Sequence, residues 1–166
     1  MDFGQKKKIN LRLGLATFLI IAVMVIVLDQ ATKIIVVGNF NLGDSVPLIP
    51  GIFHLTYVRN PGAAFGILAE RTTFFIVITV IMIVLIMYGR SLFSTRHVFI
   101  HLALALQLGG AMGNFIDRIR FGYVIDFIDF QIWPVFNIAD IAIVAGMIFL
   151  LISLFKNTAF IQERKG

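Results

Sequence analysis

Four stretches of this 166-residue chain run for 15–18 residues without a formal charge: Leu13–Leu28, Thr72–Gly89, Val98–Phe115 and Ile141–Phe155. A backbone in hydrocarbon must satisfy its own hydrogen bonds, and a helix does so within one segment. Spanning takes roughly 17–25 residues, so each run must recruit interfacial flanks or tolerate local thinning of the bilayer. The chain is 59% hydrophobic and 14% charged, where a soluble domain carries about a quarter charged residues. The reading is an all-α polytopic membrane protein of four transmembrane helices, forming one domain over 1–166. Lys6, Lys7, Lys8 and Arg12 ahead of the first run also suit a secretory signal peptide. That run is long for one, however, and DQATK follows it instead of a small-x-small cleavage site, so a retained helix is expected.

Charge placement then orients the chain. Four spans put both termini on one side. That side holds nine cations (Lys6, Lys7, Lys8, Arg12, Arg90, Arg96, Lys156, Arg164 and Lys165) against Asp2 and Glu163. The other holds five (Lys33, Arg59, Arg71, Arg118 and Arg120) against seven acids. The positive-inside rule places both termini in the cytoplasm. The net charge of +5 is therefore read as suiting anionic lipid rather than nucleic acid. Cysteine is absent, which removes disulfide and thiol chemistry.

Between the spans, IFHLTYV (52–58) alternates, with Phe53, Leu55 and Tyr57 on one face and His54, Thr56 and Val58 on the other. Bounded by Pro50-Gly51 and Asn60-Pro61-Gly62, it reads as a strand of a small outer sheet. Gly109 and Gly113 form a G-x-x-x-G, which lets a neighbouring helix approach closely, and Gln107 is expected to bond between helices. His97 and His101 share a helix face, but HVFIH lacks the Glu of H-E-x-x-H and further ligands, so no metal site is assigned there. No G-x-S-x-G occurs, and a serine hydrolase would rest on Ser45 alone.

The acids are the chemical signal. Asp29 ends the first run, Asp117 follows the third, Asp126 and Asp129 lie in YVIDFIDFQIWPVFNIAD (123–140), and Asp140 begins the fourth. All map to the outer boundary and none to mid-span, which counts against a transporter or proton pump. A lone interfacial aspartate is ordinary, and Asp140 would suit a helix N-terminus. A cluster set among Phe, Ile, Val and Trp is costly unless paired, hydrogen-bonded or protonated. Two close carboxylates share one proton. The ionised member can then deprotonate a water attacking an amide while the other hydrogen-bonds the carbonyl. Such aspartic protease chemistry needs no metal, no cofactor and no nucleophilic side chain. The competing class is a four-helix membrane protein that binds lipid or a partner without catalysis.

Five motifs in order resemble those of the bacterial lipoprotein signal peptidases (signal peptidase II). DQATK (29–33) is similar to D-Q-x-x-K, RNPGAAFG (59–66) to R-N-x-G-A-A-F/W, and GAMGNFIDR (110–118) to G-x-x-G-N-x-x-D-R. GYVIDF (122–127) matches G-x-V-x-D-F, and FNIAD (136–140) matches F-N-x-A-D. The resemblance implies four transmembrane helices with a small extracytoplasmic β-cradle and a short helix. It implies removal of the signal peptide from diacylglyceryl-modified prolipoproteins, cut just before the lipidated cysteine, without cofactor or metal. It makes Asp126 and Asp140 the catalytic pair and gives Asn60, Asn114, Arg118 and Asn137 the task of holding the substrate backbone and orienting that pair. Asp29, Lys33, Gly62 and Asp117 take structural or supporting parts. Phe65, Phe127, Phe130, Trp133 and Phe136 become candidates to line or fence an opening for acyl chains. The implied partners are the prolipoprotein and membrane lipids, with no nucleic acid and no obligate protein partner. The implied location is the bacterial cytoplasmic (inner) membrane, with the active site at its outer interface. Asp129 stays open: it shares a face with Asp126 in a helix and opposes it in an extended segment. Only the motif selects Asp126, leaving Asp129 an auxiliary part such as accepting loop amides or pairing with Arg118 or Arg120.

Overall fold

The computed structural model describes residues 3–62, 72–93 and 97–163, with side chains described between 14 and 156 of these. Four helices carry the apolar runs: α1 (Phe3–Asn39), α2 (Thr72–Leu92), α3 (Val98–Phe121) and α4 (Ile138–Glu163). Each contains a segment long and apolar enough to cross a membrane, 19–26 residues, so the charge-free runs do extend into their flanks. Large apolar side chains such as Ile20, Val23 and Val27 of α1, Val84 and Leu85 of α2, and Val144 and Ile148 of α4 face outward. That suits lipid, where packing and not hydrophobic burial holds helices together.

The third helix is the core. Its Ile100, Leu104, Ala105 and Leu108 pack with Phe18 and Ala22 of α1 and Ile86 of α2. Close approach depends on α3 lacking side chains at particular positions. A Cβ on Gly109 would lie 2.6 Å from that of Val25 and 2.7 Å from the Ala22 carbonyl oxygen, and one on Gly110 would run into the Ala139 carbonyl of α4. Gly113 abuts Asp29 and Ala139. The G-x-x-x-G therefore packs helices, as expected. Gln107 departs from expectation: it is buried, yet its amide nitrogen finds no hydrogen-bond partner among the described residues.

Strands β1 (Ser45–Ile49), β2 (Phe53–Asn60) and β3 (Val124–Asp129) form one antiparallel sheet in the order β1-β2-β3. Tyr57 of β2 and Ile125 and Phe127 of β3 cluster with Val36 of α1, with Phe40 packed against them, seating the sheet on the end of that helix. Among the described residues the sheet and its loops make up this layer. No separate short helix occurs among them, and residues 63–71 lie outside them.

The acids sit deeper in the helices than the charge pattern implied. Helix α1 continues ten residues beyond Asp29, to Asn39, and Asp117 lies within α3. Both acids are fully buried, as is Lys33. Ion pairing explains why helix, and not loop, accommodates them: the Lys33 ammonium lies 2.8 Å from both Asp29 and Asp117.

Candidate active site

Two local devices fix the two carboxylates. At the end of α3, Gly122 takes the left-handed conformation (φ 81°) and its N–H bonds to the Arg118 carbonyl. Such a glycine C-cap stops a helix without a Cβ penalty, so the chain turns directly into β3 and delivers Asp126. At the start of α4, Asn137 accepts the Asp140 N–H on its side-chain oxygen (3.0 Å), while the Asp140 carboxylate accepts the Asn137 N–H (3.2 Å). This reciprocal capping box makes Asp140 both a helix-capping acid and a site carboxylate.

Three asparagines bind the pair together. The Asn137 amide nitrogen lies 2.6 Å from Asp126 Oδ1, and Asn60 donates to Asp126 Oδ2 at 2.9 Å. Asn114 donates to Asp140 Oδ1 at 2.8 Å, and its own oxygen meets Asn137 Nδ2 (3.1 Å) and Lys33 Nζ (3.0 Å). Asn60 is aimed by the turn after β2. The Gly62 N–H bonds to Asn60 Oδ1 at 2.9 Å, and Gly62 has φ 111° with the Phe75 ring where a Cβ would sit. Asp126 is 2% exposed. Burial pushes its carboxyl up to about 7, aided by the charge of Asp140 and opposed by the amides of Asn60 and Asn137 and by Lys33.

Beneath the pair lies an ionic cluster that also grips the backbone. Asp117 accepts the Ile125 N–H (3.1 Å), and Asp29 accepts the Ala139 N–H (3.0 Å). These are the amides of the residues immediately before Asp126 and Asp140. Lys33 bridges the two gripping acids, and Gln30 donates to Asp117 at 2.8 Å and to the Gly113 carbonyl at 3.2 Å. Gln30 is not among the residues that the sequence marks as functional. Its signal was adjacency to Asp29 in DQATK.

Above the pair opens a cleft of about 420 Å³, with Asp126 and Asp140, lined on one side by Val58–Pro61 and on the other by Trp133–Phe136. Among the aromatics, Trp133 and Phe136 line it, and Phe130 stacks on Phe53 and Phe136. Phe127 does not fence an opening: it is buried in the cluster under the sheet, because the strand carries it to the face opposite Asp126. Phe65 lies outside the described residues. Arg118 stacks on Phe75 at 5.3 Å and reaches the Asn114 carbonyl at 3.5 Å, within electrostatic reach of Asp140 and Asp126. Asp129 takes neither arginine. It accepts Thr56 Oγ1 and the backbone and side-chain nitrogens of Gln131. His97 lines a separate cavity with Phe149, Ile152, Ser153 and Lys156 of α4, and no cluster of three or more metal-ligating side chains occurs among the described residues.

A hydrogen-bonded pair of carboxylates facing a cleft, Asp126 buried and Asp140 half-buried, can activate a water and polarise a carbonyl. Comparisons with known proteins agree on the setting. The family model described as signal peptidase (SPase) II matches residues 21–156. A lipoprotein signal peptidase of Moorella thermoacetica is 50% identical over 133 residues, covering 80% of this chain and 89% of that protein. One from Halothermothrix orenii is 49% identical over 149 residues, covering 89% and 97%. A bacterial membrane enzyme solved by the in meso method at 2.3 Å superposes with a TM-score of 0.80 and 41% identity, covering 86% of this chain and 90% of that one.

Proposed function

The chain belongs to the signal peptidase II family, and from that premise we propose that Asp126 and Asp140 are its catalytic pair. The chain is a membrane aspartic endopeptidase that removes signal peptides from bacterial prolipoproteins. The substrate assigned here is the diacylglyceryl-modified form, cut just before the lipidated cysteine. The observation that carries the assignment of the pair is Asn137, which contacts both carboxylates at the floor of one cleft.

The mechanism follows from that geometry. With one proton on the pair, we assign it to Asp126, the more deeply buried of the two carboxyls, whose ionisation burial opposes. The Asp140 carboxylate takes a proton from water as the water oxygen attacks the scissile carbonyl carbon. The Asp126 proton hydrogen-bonds the developing oxyanion. The tetrahedral species then collapses, the C–N bond breaks, and the leaving amine takes up a proton from the pair. Asn60 and Asn114 each hold one carboxylate from the side away from Asn137. Asp29, Lys33, Gln30 and Asp117 are supporting residues: they act on the pair through Asn114, the backbone and the charge of Lys33. Arg118 is assigned the substrate backbone and not the pair.

We place the chain as one peptidase unit in the cytoplasmic membrane, with both termini in the cytoplasm and the cleft at the outer interface, where membrane lipids surround the enzyme and its anchored substrate. The test is cleavage of a purified diacylglyceryl prolipoprotein, read as a mobility shift. Asp126→Asn and Asp140→Asn should each abolish it while leaving membrane insertion intact, since the pair acts as a unit. Near-normal turnover in either folded variant would remove that residue from the mechanism. Chelators should leave cleavage unchanged; metal-dependent cleavage would overturn the metal-free pair.

A further inference from the structure

Asp129 is buried, 8% exposed, and the catalytic pair makes no use of it. Its two oxygens accept three hydrogen bonds: Thr56 Oγ1 at 2.7 Å, the Gln131 N–H at 2.8 Å and Gln131 Nε2 at 2.7 Å. Two of the three come from a residue under strain. Gln131 has φ 64°, the one non-glycine positive φ among the described residues, and the Ile132 N–H closes a three-residue turn onto the Phe130 carbonyl at 2.8 Å. Turns of this kind are rare, and side-chain-bearing residues hold such angles only where surrounding contacts fix them. Here the fixing contacts are those of Asp129.

That turn determines where the next residues go. From Gln131 the chain doubles back, and Phe136 pairs with Ile128 through N–H···O bonds of 3.0 and 2.8 Å. The segment between, Trp133–Val135 with Phe136, forms one wall of the cleft above Asp126 and Asp140. Phe136 pins one end of this wall and Asp129 the other. Thr56 is itself braced by Ser45 Oγ at 2.8 Å, so the clamp is tied across the whole sheet.

We propose that Asp129 is a positioning residue for substrate: by fastening the turn at Gln131 it holds Trp133, Pro134, Val135 and Phe136 as the surface that receives the apolar residues beside the scissile bond. This rests on Asp126 and Asp140 being the catalytic pair. An end of a signal peptide is apolar and made of small side chains, and a wall of indole, proline ring, valine and phenylalanine suits it by shape and not by charge.

Steady-state kinetics of the purified full chain on a diacylglyceryl prolipoprotein test this. Asp129→Ala removes all three hydrogen bonds and should raise KM about tenfold with kcat within about threefold of the parent. The second change, Gln131→Gly, should restore most of the KM in the Asp129→Ala background, because glycine adopts a positive φ without a clamp. A merely structural role for Asp129 would not be repaired there. Loss of kcat at unchanged KM, no change in either constant, or no recovery in the double variant would each overturn the proposal. Thr56→Val removes one donor and should raise KM about threefold; it serves if Asp129→Ala does not accumulate as folded protein, and an unchanged KM there is equally damaging. Retained turnover in Asp126→Asn would instead sink the catalytic pair, whatever the Asp129 variants do.

Discussion

At the scale of single residues, the distinction between Asp126 and Asp129 comes from strand geometry. The near-repeat IDFIDF presents both acids alike in sequence, and the motif alone favoured Asp126. Three positions apart on β3, they face opposite ways: Asp126 to Asn60 and Asn137, Asp129 to Thr56. Asp126→Asn should therefore be inactive while Asp129→Asn keeps substantial cleavage, losing about 0.5–2 kcal/mol of stability or of transition-state binding, compared at equal amounts of folded protein. Protonation gives a second prediction. An ordinary aspartyl titrates near 3.9, and burial raises Asp126 to about 7. The free enzyme should lose kcat/KM as pH rises through about 7, when Asp126 gives up the proton that the mechanism requires. The same shift has a stability sign. Between about pH 4 and 7 the native state holds a proton that the unfolded chain has released, so this group's contribution falls as pH rises. Absence of an alkaline limb in the neighbourhood of pH 7, in a pH series of initial rates, would be incompatible with the assignment of the proton.

At the scale of elements, the buried ion cluster joins α1, α3, β3 and α4. Lys33 is 1% exposed between Asp29 and Asp117. Removing one partner of a buried ionic group strands the remaining charge, typically at a cost of about 3–5 kcal/mol. Lys33→Met should lower the unfolding midpoint of the purified protein in detergent accordingly. It should also weaken cleavage, because Asp29 and Asp117 grip the amides just before Asp140 and Asp126. An unchanged midpoint would mean that the cluster does not hold these elements. The cluster also shows what sequence could and could not display. Four spans and the Gly109 approach were legible, because run length and missing side chains are properties of local sequence. The extension of α1 was not, because Asp29 and Lys33 read as the end of a span until Asp117, eighty-four positions after Lys33, joins their ion pair inside the bundle. Strand β3 was hidden for a related reason. Asp126 and Asp129 alike are buried in VIDFID, so neither face reads as solvent-facing and no clean period of two appears. Strand β1 contains Pro47, which argues against a central strand but is tolerated at the sheet edge that β1 occupies.

For the molecule as a whole, orientation decides whether the cleft meets its substrate. The charge asymmetry widens once the ions are located. Lys33 was counted among the outer cations, yet it is neutralised inside the bundle. The rule that orients membrane proteins concerns Lys and Arg in short loops near span ends, so Lys33 drops out. Four outer cations then remain against nine on the side of the termini. The expected topology puts the sheet and the 130–136 loop outside. Because the chain has no cysteine, single introduced thiols report their own side without background. Ser45 and Gln131 are both exposed on the sheet layer. In intact cells a membrane-impermeant maleimide should label Ser45→Cys and Gln131→Cys, and should reach Ser94→Cys and Gln162→Cys only after the cytoplasmic membrane is opened. Each variant is first checked for cleavage, so that a label reports the working fold. Labelling of Ser94→Cys in intact cells, with Gln131→Cys protected, would invert the chain and leave the pair facing the cytoplasm. An exported prolipoprotein would then present its scissile bond on the opposite side of the membrane from the carboxylates proposed to cut it.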